Sequence, residues 1–339
     1  MTSRHKILFL TSRSLRHQQA AIDAAPADCT VTMLHTPSRA EVMQQIGDAE
    51  FLFSERAGVV DAAMIDAGAK LRLIQRLGSL SFDIDLAAAR RAGIPVCTQP
   101  VMGCVRVAEH MILQMLALLK RLPDAMAVAN EAADWGKPAR RTDENIFAYN
   151  WSRRTGLEGL MGKTVGILGF GEIGVELARR LAGFAPAAVL YHKRSRLPAP
   201  VEDELGITYA TEQETLAASD ILCNLLPYTP ETAHRLDAAA LAALRPGAHL
   251  VSCGSGGIID EAALAAAIHS GHLAGAALDT FEWEPLPSDN PLVVLARDPA
   301  RNVLLTPHIA AGSGGGKRSE VYRNIRRILD GEEPLNRVA

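Results

Sequence analysis

Short apolar runs alternate with longer helical patterns along almost all of the 339 residues. Before residue 100 the runs are "KILFLT", "CTVTML", "AEFLFS", "LRLIQRLG" and "GIPVCT". From Lys163 they are "KTVGILG", "AAVLYH", "GITYA", "DILCNLL", "AHLVSC", "LAGAALD" and "NVLLTPHI", with helical segments between most of them. Alternation of this kind argues for parallel strands joined by crossover helices. The length suffices for two full cores at about 100 to 200 residues each. The chain is therefore read as α/β, with two doubly wound parallel-sheet domains.

Three segments fall outside the alternation. Cys104 to Leu122 is one long helix candidate, so apolar that it must be buried between domains or between subunits. Asp134 to Leu160 is a polar excursion in which Phe147, Tyr149 and Trp151 alternate. After Ala310 come a glycine hinge and an amphipathic helix expected to cross back to the first half. The "GGGKRS" there does not read as a phosphate loop, because the motif's first glycine would fall at Ala311 and no strand precedes a helix in the right register.

The formal charge of -3 comes from intermixed residues rather than blocks, which argues against nucleic acid or an anionic membrane as partner and leaves a small molecule. The five cysteines are odd in number and have no C-x-x-C spacing, so they read as reduced thiols, with no metal site. The N-terminal apolar run is too short for a signal peptide, and no stretch approaches about 18 uninterrupted apolar residues. A soluble cytoplasmic protein is expected.

"TVGILGFGEIGVELARRL" sets Gly169, Gly171 and Gly174 in G-x-G-x-x-G spacing, directly after a strand and opening a helix. In that context the first glycine makes the tight turn, the second admits a pyrophosphate, and the third lets helix pack on strand; the helix N-terminus then faces the anion. Gly169, Phe170, Gly171, Glu172, Ile173 and Gly174 are thus candidate dinucleotide contacts. An NAD site ends the next strand in an acid that bonds the ribose. Here the strand runs into His192, Lys193, Arg194, Ser195 and Arg196, with no carboxylate. That loop offers charge to a 2'-phosphate, so NADP is favoured over NAD, a merely solvated basic loop being the alternative.

At this point the chain resembles the D-isomer-specific 2-hydroxyacid dehydrogenases, which include glyoxylate/hydroxypyruvate reductases and D-lactate and D-3-phosphoglycerate dehydrogenases. The resemblance rests on "LRLIQRLGSLSFDIDLAAARRAGIPV", "VAEHMILQMLALLKRL", "MGKTVGILGFGEIG", "NLLPYTPETAHRLD" and "LLTPHIAAGS", in that order. It implies a flavodoxin-like substrate domain at 1–100 plus 312–339, an inserted Rossmann domain at 101–311, and a homodimer built on the inserted domains. It also implies nucleotide contacts at Leu226, Pro227, Thr232, Cys253, Gly254 and Asp279, and a carboxylate cradle at Gly78, Ser79 and Leu80 beside Arg76.

Reducing a 2-oxoacid requires a hydride, a proton for the developing alkoxide, and donors for the carboxylate and carbonyl. Three late strands end in Ser255, Glu284 and His308, and ligands on such sheets sit at the carboxyl ends. His308 in "TPHIAAGS" is the candidate general acid, with a place beside the nucleotide as well. The resemblance pairs it with Glu284 of "DTFEWEP", which favours imidazolium.

The third position departs from the family. Its pattern is close to N-T-A-R-G-G-x-V-D-E, whereas this chain reads "VSCGSGGIIDE", with Ser255 in place of the substrate-anchoring arginine. Losing two charge-assisted bonds of about 1.5 to 3 kcal/mol each could slow an ordinary 2-oxoacid by roughly two to four powers of ten. Three explanations are open. Another arginine, from Arg76, Arg106, Arg153 and Arg154, reaches the site. Alternatively, the substrate is larger or less anionic, with Phe147, Tyr149 and Trp151 lining its pocket unless they are dimer packing. Or the protein is a nucleotide-binding sensor with little turnover, against which the retained His308 and Glu284 speak.

Overall fold

The structure, a computed structural model, describes residues 4–131, 138–145, 149–313 and 318–339. Its contacts divide the chain into two units, Met1–Val105 with Gly312–Ala339, and Arg106–Ala311.

In the first unit, β1 (His5–Thr11), β2 (Cys29–His35), β3 (Phe51–Glu55), β4 (Leu73–Leu77) and β5 (Val96–Gln99) form a parallel sheet in the order β2-β1-β3-β4-β5. Successive side chains of a strand point to opposite faces. Accordingly Leu8, Leu10, Leu52 and Ile74 join one core, while Ile7, Phe9, Phe51, Phe53 and Leu73 join another. Both faces are therefore covered, which is why these strands read as continuous apolar runs rather than alternating ones. The second core is closed by Tyr322 and Ile325. Both come from the last stretch of chain, where a short helix spans Arg323–Leu329, and Asn324 Nδ2 donates to Gln75 Oε1 at 2.8 Å. Truncating Phe53, fully buried and stacked on Phe9 with centroids 5.6 Å apart, should cost about 3 to 5 kcal/mol.

The second unit holds β6 (Thr164–Leu168), β7 (Ala188–His192), β8 (Thr208–Tyr209), β9 (Ile221–Asn224), β10 (Ala248–Ser252), β11 (Leu273–Leu278) and β12 (Val303–Leu305). They are parallel, in the order β12-β11-β10-β9-β6-β7-β8. The order reverses between β6 and β9, the switch point at which such sheets bind ligands beyond their carboxyl ends.

The long apolar segment forms one helix, Met102–Leu119. By length and composition it could cross a membrane. Half of it, however, is buried in the protein, including Met111, Met115 and Leu118. Its residues from Arg106 on belong to the second unit, where Leu118 O accepts Asn302 Nδ2 at 3.1 Å.

Candidate active site

The turn after β6 shows why its glycines are required. Gly169 has φ +82°, and a Cβ there would lie 2.7 Å from the Leu225 carbonyl and the Leu226 nitrogen, so no side chain fits. Leu226 is thereby brought to the switch point. A Cβ on Gly171 would meet nothing within 4 Å. Gly171 is also the N-cap of the helix Glu172–Leu181 and makes no side-chain capping hydrogen bond, so the helix begins on bare backbone beside that open space. A pyrophosphate fits that arrangement.

The helix holds its place through Gly174, Leu177, Ala178 and Leu181, a buried stripe at helical spacing. Gly174 makes room for a different partner than its motif suggests: its missing Cβ would sit 2.9 to 3.2 Å from the Phe170 ring. Phe170 is buried and tilts against Tyr191, centroids 4.8 Å apart. Its side chain faces the core, which leaves Phe170 only its backbone for a nucleotide.

Beyond β7, His192 Nδ1 lies 3.0 Å from Ala210 O, while Arg194 and Ser195 are exposed. Arg196 is committed elsewhere, gripping Glu202 at 2.9 and 2.6 Å. Glu202 also accepts the Tyr191 hydroxyl at 2.6 Å. These bonds, from Arg196 first and then Tyr191, hold the Glu202 carboxyl below the usual carboxylate range. This acid is saturated by protein groups, and the strand end presents basic residues.

The ends of β10, β11 and β12 lie side by side because the strands are neighbours. His308 Nδ1 is 2.7 Å from Glu284 Oε2, and Glu284 Oε1 accepts the Phe281 amide at 3.1 Å. The His308 side chain is 59% exposed, so a ligand can reach it. His308 itself has φ +54°, a left-handed conformation that costs a non-glycine residue about 1 to 3 kcal/mol. Asp279 holds the loop in that shape. Its buried carboxylate accepts Thr306 Oγ1 at 2.6 Å, the Ile309 amide at 2.9 Å and the Ala310 amide at 2.8 Å. His110, on the long helix, adds its Nε2 at 3.1 Å from Thr306 Oγ1.

Ser255 has a different occupation. Its Oγ accepts the Tyr228 amide at 3.0 Å, and its own amide donates to Leu226 O at 3.0 Å. The glycines around it serve close packing: a Cβ on Gly254 would stand 3.0 Å from Leu226, and one on Gly256 1.9 Å from the Phe281 carbonyl. The turn thus staples the β9 and β11 loops together, and Ser255 braces the segment containing Pro227 and Thr232. Thr232 Oγ1 closes that segment by donating to Pro227 O at 2.8 Å. Cys253 is buried, its Sγ 3.5 Å from Gln114 Oε1, and burial pushes its thiol well up from the ordinary range.

The candidate arginines are engaged as follows. Arg76, buried in the first unit, pairs with Asp83 at 3.3 Å. Arg154 grips Asp124 at 2.7 and 3.0 Å. Arg106 donates to Ala311 O at 3.4 Å, and Arg153 is exposed. Next to Arg76, the Gly78 amide is taken by Gln99 O at 2.7 Å, so it cannot join a carboxylate cradle with Ser79 and Leu80, whose side chain is buried. Tyr149 and Trp151 are exposed at 85% and 50%; Phe147 lies outside the described residues.

Sequence reasoning overlooked a second histidine–carboxylate pair, His234 Nε2 to Glu282 Oε2 at 3.1 Å. It also overlooked Tyr228, whose ring covers Gly257. The spacing of Glu282 and Glu284 in "FEWEP" was the available signal for the former.

Comparison with known proteins bears on these features together. The model of the "D-isomer specific 2-hydroxyacid dehydrogenase, NAD binding domain" matches residues 114–310. A D-3-phosphoglycerate dehydrogenase of Mycobacterium leprae is 32% identical over 93% of this chain and 56% of its own length. The chain thus spans little more than half of that relative. A glyoxylate reductase of Thermofilum pendens is 34% identical over 88% of this chain and 84% of its own. Among solved structures, a glyoxylate reductase from Paecilomyes thermophila superposes with a TM-score of 0.53 at 27% identity, covering 100% of this chain and 99% of that one. With the glycine turn at the switch point and the match running through His308, the chain belongs to the D-isomer-specific 2-hydroxyacid dehydrogenase family.

Proposed function

We propose that this protein is a nicotinamide-nucleotide-dependent oxidoreductase that interconverts a 2-oxoacid and its D-2-hydroxyacid, with NADP(H) preferred to NAD(H). The observation that carries the reading is the 2.7 Å contact between His308 and Glu284, on the same sheet as the glycine turn. A bound reduced nucleotide supplies the hydride. Gly171 and the first amides of its helix bind the pyrophosphate, and Lys193, Arg194 and Ser195 receive the 2'-phosphate.

With Nδ1 held by Glu284, His308 carries the transferable proton on Nε2 and delivers it to the oxygen that becomes alkoxide. The Glu284 carboxylate holds Nδ1 and fixes the ring's orientation. Asp279 fixes the backbone on which that ring stands. Ser255 is neutral and its hydroxyl is bound to the Tyr228 amide, so this turn supplies no charge for a substrate carboxylate.

Steady-state reduction of 2-oxoacids with each nucleotide tests the proposal. Turnover with kcat/KM higher for NADPH than for NADH is expected. Equal or reversed preference would refute the role of Lys193 and Arg194. Tight nucleotide binding without turnover of any 2-oxoacid would instead identify a nucleotide-binding module.

A further inference from the structure

Beside the His308–Glu284 pair, and wholly inside the second unit, lies a cavity of about 570 Å3. This is within the roughly 300 to 1,000 Å3 of ordinary small-molecule sites. Its apolar wall is Phe281, Pro285, Leu286, Leu305 and Pro307. Its polar side chains are Glu284, Thr306 and His308, and their hydrogen-bonding capacity is largely spent within the protein. Glu284 takes the Phe281 amide and His308 Nδ1, and the Thr306 hydroxyl donates to Asp279. Among the described residues, a ligand in this space meets hydrocarbon, one imidazole and the Glu284 carboxylate. Among the described residues no lysine or arginine lines it, so a phosphate or second carboxylate placed against this wall would be desolvated without compensation.

We infer that this cavity receives the carbon chain of the substrate, which makes the preferred 2-oxoacid one with a bulky apolar substituent, branched aliphatic or aromatic. The inference rests on the reading of His308 as proton donor to a 2-oxoacid. It adds what that reading leaves open, the substituent on the reacting carbon. It also fits the neutral turn at Ser255: where charge does not anchor the substrate, burial of its chain does. Each methylene taken out of water is worth about fourfold in kcat/KM.

The test compares NADPH-linked reduction of glyoxylate, pyruvate, 3-phosphohydroxypyruvate, 4-methyl-2-oxopentanoate and phenylpyruvate by the intact protein. The three additional carbons of 4-methyl-2-oxopentanoate over pyruvate should raise kcat/KM by about 60-fold, and the phosphorylated acid should fall below pyruvate. A chain-length-independent profile, or one led by glyoxylate or the phosphorylated acid, would overturn the inference while leaving the oxidoreductase reading intact. No turnover of any member would overturn the reading on which it rests. Leu286→Trp, which fills the cavity, should lower the ratio of the 4-methyl-2-oxopentanoate and pyruvate rates at least tenfold. That ratio does not depend on how much of the preparation is folded; an unchanged ratio would contradict the inference.

Discussion

The two sheets of this protein share an architecture and differ at their switch points. In the first unit the reversal lies between β1 and β3, and side chains close it. Thr11 Oγ1 donates to Glu55 Oε2 at 2.6 Å, the Arg13 amide donates to Thr11 Oγ1 at 3.0 Å, and Gln18 Nε2 donates to Arg13 O at 2.8 Å. In the second unit the same place is occupied by Gly169, where backbone approaches backbone, and Gly171, where an added side chain would meet open space. Architecture alone therefore does not leave a switch point open to a ligand; the residues of one turn do. The catalytic candidates belong to the same unit as the open turn, since Glu284 and His308 lie in the loops that follow β11 and β12.

Substitutions in the two turns and around the histidine test this contrast. The largest effect is expected at the proton donor. His308→Asn should lower kcat by about a thousandfold, roughly 4 kcal/mol, while the NADPH dissociation constant stays within threefold; steady-state rates and equilibrium binding check both. Next, Gly171→Asp puts a carboxylate into the open space at the helix N-terminus and should weaken NADPH at least about 100-fold, near 2.8 kcal/mol. Arg13→Asp, at the equivalent turn of the first unit, should leave NADPH affinity unchanged. Similar losses from both would erase the distinction between the sheets.

Mild acid acts on the second sheet through His249 in β10. Burial lowers its pKa from 6.5 to about 4, so the folded chain keeps the ring neutral. As the pH falls from 6.5 toward 4, the unfolded chain takes up a proton that the folded chain refuses. Stability present at pH 7 should thus drop by about 2 kcal/mol at pH 5, read as a shift in urea midpoint. His249→Gln should flatten the dependence. The smallest effect concerns Ser255. Ser255→Ala removes one hydrogen bond to the Tyr228 amide and should cost about 1 kcal/mol of stability, with kcat within twofold of wild type. A loss of kcat beyond tenfold would show that the hydroxyl acts on substrate.

The fold was legible because both sheets are covered on both faces: runs such as "KILFLT" could be buried only as strands, and Leu8 and Phe9 confirm it by facing different cores. The glycine spacing located the switch point for the same reason, since Gly169 tolerates no Cβ. What stayed hidden were pairings between loops distant in sequence. Nothing local to "CGSGG" says that Ser255 holds the Tyr228 amide, 27 residues away. Likewise the cost of burying Arg76 is met by Asp83 within its own unit, and Phe170 turns inward because Tyr191 offers it a ring. Such choices depend on which strand ends the sheet order brings together.

The most direct measurement is to run the reaction with NADPH deuterated at the transferred position and locate the label in the product. Hydride transfer onto a 2-oxoacid predicts one deuterium on C2 of the hydroxyacid for each NADPH consumed. Product without label at C2, or NADPH consumption without hydroxyacid, would contradict the proposed chemistry.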